Sequence, residues 1–265
     1  TAFSTLLAEF PETPLAARIP LAQGEHFLQS GQHSQAVAMY EQAIADHPDN
    51  PAARDAGMAL LRAHLEQQAF ADADSVAQYL LTRWQGIRFD LPEVLFLAAT
   101  AKQGIGERDS ARRLCLDLRN LDPGAEISLQ AEAMVVDNAD AHTSARVTAL
   151  FGQARQGSAT APALDHDPNL TVDLGALVVE LNNGRFFLAR FVFLVPDQIA
   201  VWELDTKAVP LRDLIARYMA NEDPARFVEL EASALAATVL AMANEQLVHG
   251  HVEQTLLVHS ALSTP

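Results

Sequence analysis

A single offset of 75 positions separates Gly31 from Gly106, Ala36 from Ala111, Ala43 from Leu118 and Pro48 from Pro123. Glycine, small helix residues and a terminal proline have different backbone duties, so one shared offset marks a repeated structural unit. An ordinary amphipathic hairpin also shows alanine and leucine at helical spacings, but it does not require the glycine and the proline to follow. Units of this size cannot bury an apolar face alone and stack on their neighbours. Two units of roughly 34 residues would account for about 68 positions. The remainder predicts an insertion of about seven residues around 86–92, where Gly86, Asp90 and Pro92 interrupt the helical pattern.

The residues within a unit have separable jobs. Small side chains at Gly24 and Ala36 admit a close helix approach, and Phe27 and Tyr40 fill the space between the helices. Gly31 and Gly106 stand where a turn needs a permissive backbone. Asp46-His47-Pro48 and Leu121-Asp122-Pro123 end a helix, since proline cannot continue one. This spacing over 17–123 resembles the tetratricopeptide repeat family, with departures at Pro20, Gln23 and Lys102 from its usual large apolar or aromatic residues. The resemblance implies that the first helix of each unit lines a groove for a partner segment. The implied groove positions are Glu25, Leu28 and Gln29, then Asp55, Ala59 and Arg62, then Phe96, Thr100 and Gln103. Family members that clamp a terminal carboxylate place Lys and Asn there. This chain does not, and the mixed lining points to a segment or helix of a partner. Residues 3–10 are expected to cap the front of the array and 125–137 to add a helix behind it.

The second half is of another composition. Helical spacing persists through Val147, Leu150, Phe151 and Ala154, and 157–162 reads as a linker that 165–168 continues. Strands are predicted over 174–181 and 185–195, joined by Asn182-Asn183-Gly184. A third follows the Pro196-Asp197 turn at 199–204, and 251–260 is a candidate fourth. The middle strand, Phe186 to Val195, is apolar in nearly every position, so helices must cover both of its faces. Helices over 209–221 and 224–248 are the candidates, with Pro224 in a first turn and Asp223 near its cap. The expected fold is therefore α+β. An all-α tetratricopeptide-like superhelix (1–157) precedes a small domain (168–265) with a three- or four-stranded antiparallel sheet covered by helices.

Charge narrows the partners. The formal charge is −16, from 18 basic and 34 acidic residues. Phosphate backbones and anionic membrane surfaces both call for clustered Lys and Arg, so neither nucleic acid nor membrane is expected. One cysteine, Cys115, permits no internal disulfide, and its place in the repeat makes it core rather than nucleophile. No run of 18 apolar residues and no signal peptide are visible, and the cytoplasm is the expected compartment.

Motifs that carry chemistry are sparse. His249, His251 and Glu253 would share a face on a strand and form the one weak candidate for a metal site. Asp165-His166-Asp167 offers carboxylates beside an imidazole, which a solvated turn explains as well. Trp202 and the Phe-rich strand read as core before they read as a ligand pocket. No cofactor and no catalytic residue is expected. The sequence therefore points to an adaptor or chaperone-like scaffold that binds another protein or peptide and is able to form homo-oligomers. The alternative is a metal- or small-ligand-binding module or small enzyme in the second domain, recruited by the repeats.

Overall fold

Helix starts and stops in the first half follow from single residues. Asn50 caps one helix through its side chain, which accepts from the Ala52 N–H at 2.9 Å, and Pro51 occupies the first turn. The computed structural model describes residues 18–84, 91–122, 125–159, 167–223, 227 and 232–263. The expected front cap at 3–10, the interruption at 86–90, Pro123, the Asp165-His166 pair and Pro224 lie outside them. The chain divides into two units, Thr1–Ala111 and Arg112–Pro265. This division falls upstream of the linker expected at 157–162, where α8 instead runs on to Ala159.

The first unit contains α1 (Arg18–Gln29), α2 (His33–Asp46), α3 (Pro51–Glu66), α4 (Phe70–Arg83) and α5 (Leu91–Gly104), and α6 (Arg108–Leu121) follows. The turns after α1, α3 and α5 are built alike. Each places one residue in the left-handed region: Gly31 at φ 72°, Gln68 at φ 58° and Gly106 at φ 87°. In each turn the next N–H reaches back five residues, from Gln32 to Phe27 O (2.8 Å), Ala69 to His64 O (2.9 Å) and Glu107 to Lys102 O (2.9 Å). These bonds satisfy carbonyls that a helix end would otherwise leave open.

Buried positions keep the same phase. Ala36, Ala73 and Ala111 are fully buried, as are Ala77 and Cys115 at the place of Tyr40, and Ala43 and Leu118 with Leu80 between them. Gln68 lies 37 positions after Gly31 and 38 before Gly106. The surplus over a 34-residue unit is thus shared between two intervals rather than gathered at 86–92. Close approaches follow from the small residues. A Cβ on Gly24 would stand 2.4 Å from the Tyr40 ring, and one on Gly57 would stand 2.8 Å from Leu80. Burial, first, and the Asp117 charge push the Cys115 thiol up to about 12, so its packing in the core leaves no thiolate near neutral pH.

The second unit is α+β, with the expected antiparallel sheet layered between helices. It comprises α7 (Glu126–Asp137), α8 (Ala141–Ala159), β1 (Thr171–Glu180), β2 (Phe186–Leu194), α9 (Gln198–Asn221), α10 (Ala232–Gln246) and β3 (Gln254–Leu262). The strands form one antiparallel sheet in the order β1-β2-β3. The β1–β2 turn is the expected one, with Gly184 at φ 72° and the Asn183 side chain accepting from the Arg185 N–H. A second left-handed glycine, Gly175, makes a bulge in β1. Leu174 and Leu177 can then both enter the core although they are three apart. Phe187, Ala189, Phe191 and Phe193 face α9 and α10, while α8 packs on the other face. β2 is accordingly buried at all but its last residue.

One expected strand is a helix. Residues 199–204 belong to α9, which the Asp197 side chain caps by accepting from the Ala200 N–H at 2.9 Å. Ala200, Glu203, Leu204, Leu211, Ile215 and Met219 are buried, at helical intervals. The helix expected at 209–221 is the later part of the same α9, which carries Pro210 in its interior. The third strand is instead β3, close to the candidate at 251–260.

The outer edge of β1 is closed by side chains. Asn120 behaves as a strand residue: its Nδ2 donates to Val178 O at 2.8 Å and its Oδ1 accepts from the Val178 N–H at 2.9 Å. Arg119 and Arg212, both buried, donate to Ala176 O at 2.5 and 3.2 Å. Burial, followed by the charge of Arg119, lowers the Arg212 guanidinium to about 9, so it remains a cation near neutral pH. Glu132 compensates Arg119 at 3.2 Å.

Candidate functional site

The odd-numbered helices of the first unit are neighbours, α1 beside α3 and α3 beside α5. They therefore present side chains to one surface, while α2 and α4 pack behind them. All nine expected groove positions retain solvent access. Glu25, Gln29, Arg62 and Gln103 are exposed, and Leu28, Asp55, Ala59, Phe96 and Thr100 are half-buried. Local helical geometry explains the half-burial: Ala56, Leu60, Ala98 and Ala99 on the same helices turn into the core.

Contacts within the chain already hold part of this surface. Arg62 spans from α3 to α5, its Nε and Nη2 donating to Glu93 Oε1 at 3.0 and 2.7 Å. Asp55 accepts from Arg54 at 2.9 Å, and Thr100 Oγ1 donates to Phe96 O at 2.9 Å. Lys102 is largely enclosed. It bridges Asp74 at 2.9 Å and Glu107 at 3.0 Å. Asp74 first, then Glu107, hold its ammonium above the ordinary value. Lys102, Asp74 and Glu107 thus form a charged triad at this place. Glu93 was not among the expected groove residues, although its spacing of three before Phe96 on α5 would have found it.

In the second unit the proposed metal ligands do not converge. His249, His251 and Glu253 lie in the connection before β3, not on a strand, and all three are exposed. Among the described residues no group of three His, Cys, Asp or Glu side chains is placed to hold a metal ion. The connection has a structural anchor instead. The Glu203 carboxylate accepts from the N–H groups of Val248 (2.6 Å), His249 (3.0 Å) and Gly250 (2.9 Å), and Lys207 lies 3.1 Å away. The Val248 bond leads these contacts in bringing Glu203 down to about 2, against the opposing effect of burial. Gly250 is required because a Cβ there would stand 2.6 Å from the Ala200 Cα.

Trp202, expected in the core, is 68% exposed beside Ile199 on the outer face of α9. On a helix, Ile199 and Trp202 lie one turn apart and share the face opposite buried Ala200 and Leu204. Where α6, α9 and β1 meet, a cavity of 250 Å³ is lined by Asp117, Asn120, Glu180 and Arg217 among others. It is smaller than the roughly 300–1,000 Å³ typical of small-molecule sites. Among the described residues no helix is long and apolar enough to cross a membrane. No family model matches the chain, and no curated protein is significantly similar to it.

Proposed function

We propose that the protein is an adaptor or chaperone-like scaffold whose α1–α3–α5 surface, of tetratricopeptide type, holds a segment of another protein. The observation that carries the proposal is the placement of all nine groove positions on three neighbouring helices with solvent access. The three turns of equal geometry support it, because stacked hairpins of this kind repeat one surface from unit to unit. Apolar Leu28, Ala59 and Phe96 alternate with Glu25, Asp55, Arg62 and Gln103. That lining suits an amphipathic helix or extended segment, with Phe96 and Arg62 as its anchors. Arg62 would exchange Glu93 for an acidic group of the partner, at little cost for a pair half open to water.

Affinity capture with the full chain, alongside its Arg62→Ala/Phe96→Ala variant, tests the reading. A partner held by the wild type should bind the variant about tenfold more weakly or worse, with circular dichroism unchanged. Equal affinity for the folded variant would remove the groove from the account.

A further inference from the structure

The two edges of the sheet are treated differently. The β1 edge is closed by Asn120, Arg119 and Arg212, whereas no side chain of the described residues bonds to the backbone of β3 between Gln254 and Leu262. The Ser263 N–H donates to Phe186 O at 2.8 Å. By the alternation of antiparallel pairs, Ala261 and His259 also face β2, and Leu262 and Ser260 turn their N–H and C=O groups outward. Such an edge is a template for another strand unless charge, proline, a β-bulge or a covering element blocks it; β3 departs from a regular ladder at one residue, Val258, and pairs regularly on either side of it. β3 has nine residues, none of them Asp, Glu, Lys, Arg or Pro. Leu256, Leu257, Val258 and Leu262 are only half-buried.

Charge at its two ends selects the occupant. Glu253, exposed, stands just before β3. At the other end two guanidiniums converge on Ser263: Arg185 Nε donates to its carbonyl at 2.9 Å and Arg146 Nη2 to its hydroxyl at 2.7 Å. An antiparallel copy of the same strand brings its acidic end beside the basic end of the first, twice over, with no charge between. A parallel copy, or a strand with the opposite charge order, would set like charges together. We infer that the β3 edge is the dimer interface of this protein, pairing antiparallel with β3 of a second copy so that the two sheets join into one of six strands. The pairing is isologous and closes on itself, as a two-fold interface must.

Sedimentation velocity on the full chain over a range of concentrations tests the inference. The wild type should shift from 28.7 kDa to twice that mass as concentration rises. Ser260→Pro removes an outward donor while sparing the β2 ladder and should leave a monomer, as should Ser260→Lys, which keeps the backbone intact. Glu253→Lys should weaken dimerisation on the order of tenfold, because two symmetric ion pairs are lost. Adding Arg185→Glu to it should restore the dimer by exchanging the partners' signs. A wild type that stays monomeric at every concentration would overturn the inference. So would a dimer indifferent to both Ser260 variants while their circular dichroism stays native.

Discussion

Asn120 shows how one side chain can stand in for a strand. Its amide meets both the N–H and the C=O of Val178, and it is 3% exposed. Truncation would leave two backbone groups buried without partners, each costing about 1–3 kcal/mol. Asn120→Ala is therefore expected to lose roughly 2–4 kcal/mol in urea unfolding, and a loss under about 0.5 kcal/mol would contradict the edge-closing role. Glu203 makes a comparable arrangement with charge. Its folded carboxyl lies near 2, below the ordinary 4.5, so its stabilisation is complete above 4.5 and lost as pH falls from there towards 2. Glu203→Gln should be less stable near neutral pH and should show a flatter loss of stability across that acid range. Parallel acid profiles for the two proteins would show that the three N–H contacts do not depend on the carboxylate charge.

At the level of elements, the repeated turn is the most telling feature. Gly31 and Gly106 adopt the left-handed region without cost, but Gln68 holds it at φ 58° with a side chain. The left-handed region costs a residue with a Cβ about 1 kcal/mol. Gln68→Gly should accordingly raise the melting temperature, and Gly31→Ala should lower it by a similar amount; a fall for Gln68→Gly would refute the assignment. Glutamine at this place also explains why the middle unit was hard to see in the sequence. Its turn lacks the glycine that marks the outer two, so Gly31 and Gly106 were legible while the 37- and 38-residue intervals between them were not. Strands β1 and β2 were legible because Asn182-Asn183-Gly184 and an unbroken apolar run mark a buried hairpin. The start of α9 was not, since Ile199, Val201 and Trp202 have the composition of a strand and follow the Pro196-Asp197 turn signal. Only the burial of Ala200, Glu203 and Leu204 shows the helical phase. Of the candidate sites, the groove positions were implied by the tetratricopeptide resemblance, and all nine retain solvent access. The His249-His251-Glu253 set depended on a strand that begins only at Gln254.

Taken whole, the molecule joins an array of helical hairpins to a unit of different construction, a sheet layered between helices. The formal charge of the chain, −16, is in keeping with the proposed protein partner, since binding a phosphate backbone calls for clustered Lys and Arg. In the proposed scheme the first unit selects a partner segment, and the β3 edge doubles the number of such surfaces. Two linked grooves would raise apparent affinity for a bivalent partner without any new contact. Binding along the α1–α3–α5 surface is tested most directly by site-specific photo-crosslinking of the full chain to its captured partner. A photoreactive residue would be placed at Gln29 or Gln103 on the proposed surface, and at Gln42 on α2 as the control. Adducts from Gln29 and Gln103 with none from Gln42 are the predicted result. Adducts from Gln42 alone would place the partner on the opposite helices and contradict the account.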